Sequence, residues 1–194
     1  MPGRSRDADL DKRLLDSAWS LLKSDGYHGL TLTKAASRAG AHRSDVYRRW
    51  PGKPLLVIDV LNEHLPPVSE VDTGALGSDI RAVVEDFAAS WSSLWIDGLV
   101  GLIADLQHDP AAELAFRRMA VRRGTPVVNI VTRAVDRGEL SEVPDLSLLG
   151  DMIEGPLMHR RMIGRQPLTP AFLDAVAFTA YRLLTGNTGN TVAW

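Results

Sequence analysis

The sequence predicts an all-α protein in two parts: an N-terminal three-helix head with a helix-turn-helix over residues 1–65, and a helical body over residues 66–194. Three observations predict it. Apolar residues recur at spacings of three and four along most of the 194 residues, with no strand pattern evident. Residues 26–56, GYHGLTLTKAASRAGAHRSDVYRRWPGKPLL, hold two short helical patterns around a glycine turn. The pair Pro66-Pro67 then interrupts the helical pattern, because neither ring nitrogen can donate a helical hydrogen bond.

A first helix is expected over about Asp7 to Lys23, with Leu10, Leu14, Ala18, Leu21 and Leu22 on one face. Thr31 offers its hydroxyl to the exposed amides of a second helix, whose apolar face is Ala35, Ala36 and Ala39. Gly40 stops that helix, since a left-handed residue follows many helix ends and glycine adopts it without a Cβ penalty. A third helix runs from about Arg43 to Arg49, with Val46 and Trp50 inward and Arg43, Ser44, Tyr47 and Arg48 outward. The fourth, Lys53 to His64, takes Pro54 in its first turn, where a missing amide costs nothing.

The outward groups carry the charge that gives the motif its chemistry. Lys34, Arg38, Arg43, Arg48, Arg49 and Lys53 lie within one 20-residue stretch opposed only by Asp45. A phosphate backbone is the natural partner of such a face, and the third helix is narrow enough for a major groove. Formal net charge is −2, but residues 1–64 carry 11 basic and 8 acidic side chains against 11 and 16 in the remainder. A basic head on an acidic body approaches DNA head first.

This stretch resembles the DNA-binding domain of the tetracycline-repressor (TetR/AcrR) family of bacterial regulators, over residues 10–64. Leu14, Leu15, Ala18, Leu21 and Leu22 match the family's first helix, Gly26 its end, Thr31 and Ala36 its second helix, and Ala39-Gly40 its turn. Val46-Tyr47, Trp50 and Lys53 complete the pattern. His42 stands where a small hydroxyl residue usually caps the reading helix, and Lys34 where an acidic residue often closes a capping box. The DNA-binding set is therefore Thr31, His42, Arg43, Ser44, Tyr47, Arg48 and Lys53. Thr31, Tyr47 and Lys53 are expected on phosphates, Arg43, Ser44 and His42 nearer base edges.

In the body, helices are expected near Gly77–Ser90, Ser93–Gln107, Pro110–Arg137, Asp145–Ile163 and Pro170–Leu184, with Gly124 and Pro126 a candidate break in the third. The last two carry more apolar residues than one stripe needs: Leu149, Met152, Ile153, Pro156 and Leu157, then Phe172, Leu173, Val176, Phe178 and Ala180. The resemblance implies that these pairs form a symmetric four-helix homodimer interface, placing two heads on a palindromic double-stranded DNA operator. It also implies a small-molecule effector site in the body, for which Phe87, Trp91, Trp95, Phe116, Met119 and His159 are the candidate lining. Core packing accounts for the same aromatic spacing. A repressor released by its effector is the expected function.

Enzymatic alternatives find little support. No nucleophile motif, phosphate-binding glycine loop or paired-histidine zinc helix occurs, and no cofactor is called for. Asp105, His108 and Asp109 share a helical face as metal ligands would, yet a helix end before Pro110 explains them better. No metal site is assigned. A helical adaptor binding only protein would leave the basic helix unused. There is no cysteine, and no stretch approaches the roughly eighteen apolar residues that span a bilayer, so a cytoplasmic protein is expected.

Overall fold

The computed structural model describes residues 3–92, 96 and 99–186. Among them are nine α-helices: α1 (Gly3–Gly29), α2 (Leu32–Ala39), α3 (Arg43–Arg49), α4 (Lys53–His64), α5 (Leu76–Trp91), α6 (Leu99–Leu106), α7 (Pro110–Asp136), α8 (Leu146–Met158) and α9 (Pro170–Thr185). The chain packs as two units, residues 1–65 with 94–120, and 66–93 with 121–194. Residues 99–120, expected in the body, instead pack with the head.

In the first unit, α1 lies against α2, α4 and α6. Leu14, Ala18, Leu21 and Leu22 form its buried face, as their spacing predicts. The helix extends beyond the expected Lys23, but Gly26 adopts φ 68° and kinks it, so the final turn to Gly29 changes direction. Leu56, Ile58 and Leu61 of α4 and Leu102 of α6 close this core with under 2% exposure. The side chain of Arg13 donates to the Ala39 carbonyl at 3.3 Å, tying α1 to the end of α2.

The second unit is built from α5, α8, α9 and the C-terminal part of α7 around a core that includes Val84, Phe87, Ile130, Leu149, Ile153 and Ala177. Asp145 caps α8, accepting from the amides of Ser147 at 2.9 Å and Leu148 at 3.1 Å. Thr169 caps α9 by accepting from Phe172 at 3.4 Å. α7 runs unbroken through Gly124 and Pro126. Pro126 removes one amide, and its burial with the adjacent Val127 offsets that loss. α8 ends in a wider π-helical turn, His159–Ile163, rather than continuing as α-helix.

Candidate nucleic-acid interface

The helix-turn-helix is assembled by local bonds. Thr31 holds extended geometry and its Oγ1 accepts from the Lys34 amide at 3.2 Å, starting α2. At the other end Gly40 is left-handed (φ 64°), and the Ala41 amide donates to Ala36 O at 2.9 Å, closing the last turn. The chain is thereby redirected within three residues. α3 is then anchored by Val46, fully buried, and Trp50, whose indole N–H donates to Asp59 of α4 at 2.9 Å.

That anchoring turns Arg43, Ser44, Tyr47 and Arg48 to solvent on one face of α3. The Arg43 guanidinium lies 5.0 Å over the Tyr47 ring and donates to its hydroxyl at 3.4 Å. Hydrogen bonds from Arg43 and Thr33 hold the Tyr47 phenol below its ordinary range. Arg48 pairs with Asp45 one turn earlier at 3.0 Å. His42 occupies the position before α3, exposed and without a capping bond from its side chain. These groups form a contiguous face of donors.

Two of the six basic residues counted in the sequence are not presented in this way. Arg49 turns inward, paired with Asp11 of α1 and donating to the Asp45 carbonyl at 3.1 Å, with 12% side-chain exposure. Lys53 opens α4 and is partly buried, its ammonium 4.0 Å over the Tyr27 ring and 3.3 Å from the Tyr27 carbonyl. Lys34, Arg38, Arg43 and Arg48 are exposed. Lys34 bonds the Gly29 carbonyl at 2.8 Å, which explains a basic residue in a place that would suit an acidic cap.

Tyr27 ties the end of α1 to α4 and α6. It is 2% exposed, donates its hydroxyl to Asp105 of α6 at 2.5 Å, and packs on Gly101. Burial and Asp105 push its phenol well above the usual range, so it stays a donor. Asp109 caps α7, accepting from the Ala112 amide at 3.0 Å. Asp105 and Asp109 are thus committed to hydrogen bonds within the first unit. The sequence reading missed Tyr27, although an aromatic directly after the helix-ending Gly26 was a signal for it.

The remaining expected sites divide between the two units. Phe116 and Met119 belong to the first unit, while Phe87 and Trp91 lie in the second, and His159 is exposed after α8. The expected effector lining is therefore not one wall of either unit, because α7 contributes its first turns to the head. Trp95 lies outside the described residues. Of the residues expected at a dimer interface, Leu149, Ile153, Leu157 and Val176 are at most 5% exposed and fill their own unit's core. They have no surface left to offer a partner. Met152 is exposed, and Pro156, Phe172 and Phe178 are partly so. Apolar residues exceeding one stripe here reflect helices packed on two sides within the chain.

Residues 14–60 match the family model described as bacterial regulatory proteins, tetR family, and residues 70–180 match the tetracyclin repressor-like, C-terminal domain. The DNA-binding transcriptional repressor TetR of Mycobacteroides abscessus is 32% identical over 163 residues, spanning 82% of this chain and 85% of that protein. Among solved structures, the TetR family transcription regulator SCO0332 superposes with a TM-score of 0.73 at 24% identity, covering 93% of this chain and 100% of that one. FadR from Bacillus subtilis, in complex with stearoyl-CoA, gives a TM-score of 0.61 at 15% identity, covering 90% and 97%.

Proposed function

Because this chain belongs to the tetracycline-repressor family of DNA-binding transcriptional regulators, we propose that it represses transcription from a palindromic operator and is released by a small-molecule effector. The observation that carries the reading is the solvent face of α3, where Arg43, Ser44, Tyr47 and Arg48 project from a helix anchored by Val46 and Trp50. Arginine donates bidentately to guanine edges in the major groove, and serine and tyrosine hydroxyls bond bases or phosphates. Thr31 and Lys53 serve as phosphate contacts, and exposed His42 reaches the groove edge. In this reading residues 1–65 act as the DNA-binding domain and residues 66–194 as the effector-binding and dimerisation domain.

Two heads on a palindrome require a homodimer. Exposed apolar groups on the last two helices support one: Leu148, Met152 and Met158 on α8 and Leu183 on α9, with Pro156 and Phe178 partly exposed beside them. Burying such a set against its symmetry mate produces an isologous interface. A monomer in sedimentation at micromolar concentration would exclude it.

The effector acts by favouring a geometry in which the two heads no longer fit both half-sites. A hundredfold preference corresponds to about 2.7 kcal/mol, and DNA must weaken effector binding by the same factor. That FadR, a regulator of this fold, is in complex with stearoyl-CoA supports a small-molecule effector. Selection from a random duplex pool at physiological salt tests the proposal directly. Enrichment of a palindrome is the expected result, and salt-sensitive binding without sequence preference would overturn it.

A further inference from the structure

One polar group of side chains in the second unit lies beside its apolar core, against which Trp91 packs. Trp91, the last residue of α5, donates its indole N–H to Glu154 Oε2 of α8 at 2.9 Å. Arg123 of α7 donates Nη1 to the Pro66 carbonyl at 2.9 Å and Nη2 to Ser90 Oγ at 2.7 Å. Burial holds the Glu154 carboxyl above the usual carboxylate range and pulls the Arg123 guanidinium down, and each group's charge partly counters the other's shift.

Opposite charges in a half-buried setting usually meet, because a direct ion pair offsets part of their desolvation. Glu154 and Arg123 attract without meeting: among the described residues no hydrogen bond or ion pair joins them. Each keeps bonding capacity in reserve, one carboxylate oxygen on Glu154 and the remaining N–H groups on Arg123. There is also room. A Cβ on Gly150, one turn before Glu154 on α8, would meet no described atom within 4 Å, and the same holds for Gly124 beside Arg123.

A ligand group between them must donate to a carboxylate and accept from a guanidinium. An anion is repelled by Glu154 and a cation by Arg123, whereas an amide presents its N–H to the first and its C=O to the second. Resting on the effector reading above, we propose that the effector is an uncharged molecule with an apolar body against Trp91 and an amide-like donor-acceptor head held between Glu154 and Arg123.

Benzamide, benzoate and benzamidinium are nearly equal in size and shape and differ in charge, so they serve as probes with the full-length protein. The readout is the Trp91 indole N–H resonance, assigned by its loss in Trp91→Phe and titrated with each probe. Benzamide is expected to move it at the lowest concentration. Glu154→Gln should shift the preference toward benzoate and Arg123→Met toward benzamidinium, each by about tenfold, the worth of one charge-assisted hydrogen bond. A charged probe binding the wild-type protein best, an order unchanged in the variants, or no probe moving the resonance would overturn the proposal. The wild-type order alone decides the matter if Arg123→Met does not fold. Operator selection on the same protein separates the two readings: a palindrome without benzamide binding rejects only the amide site, and benzamide binding without a palindrome rejects only the regulator.

Discussion

Replacing Gly101 by alanine is the sharpest test of how the first unit is held together. An ideal Cβ on Gly101 would stand 2.5 Å from Cδ1 of Tyr27 and 3.3 Å from its Cγ and Cε1. Carbon atoms settle at about 3.5–4.0 Å, so the ring or α6 must retreat by roughly 1 Å. The ring has little freedom to do so, being 2% exposed, bonded through its hydroxyl to Asp105, and covered by Lys53. Overpacking of this kind costs about 1–3 kcal/mol, and with both ends of the tyrosine fixed we expect about 2 kcal/mol. For a chain of this length that lowers Tm by roughly 4–8 °C in thermal unfolding followed by circular dichroism. The same substitution in a Tyr27→Leu background should cost much less, because the obstructing ring is gone. Unfolding within a degree of wild type, or an equal penalty in both backgrounds, refutes the packing argument.

Four further outcomes are expected. Gly40→Ala should cost about 1 kcal/mol, since φ 64° places a Cβ against the following carbonyl, and equal urea midpoints would contradict that. Arg48→Ala should reduce the salt dependence of DNA binding by roughly one counterion while leaving stability nearly unchanged. Arg49→Ala should instead cost roughly 1–2 kcal/mol of stability through the lost Asp11 and Asp45 bonds, and a larger effect on the salt slope than on Tm would reverse our assignment. Glu154→Gln should raise Tm at neutral pH, with the gain shrinking on acidification. The raised carboxyl binds its proton in the native state where the unfolded chain has released it, so wild-type stability falls as pH rises through that range. A gain that grows toward acid pH would show the sign to be wrong.

The head was legible because its determinants are local. Thr31 and Gly40 act on amides and carbonyls within four residues of themselves, and Val46 and Trp50 follow from helical spacing. Arg49 was counted with the basic surface because nothing nearby reveals that Asp11, 38 residues earlier, turns it inward. The same limit applies to Tyr27, whose partner Asp105 is 78 residues away. In the body, spacing identified α8 and α9 yet could not say which neighbour each apolar face meets. Leu149 and Val176 therefore read as interface when they are core. Glu154 and Arg123 stood in plain view in apolar helices, and only the fold brings them near each other and Trp91.

The inward placement of Arg49 also bears on how such a protein travels a genome. Each phosphate neutralised contributes about 0.9 to the logarithmic salt slope, so a head with fewer cations presented to the duplex holds random DNA less tightly. Weak retention shortens the dwell at each wrong site, while the base contacts we propose for α3 would lengthen it only at the right one. Fixing this cation within the protein thus trades bulk adhesion for faster sampling, and locating an operator among millions of competing positions benefits from that trade.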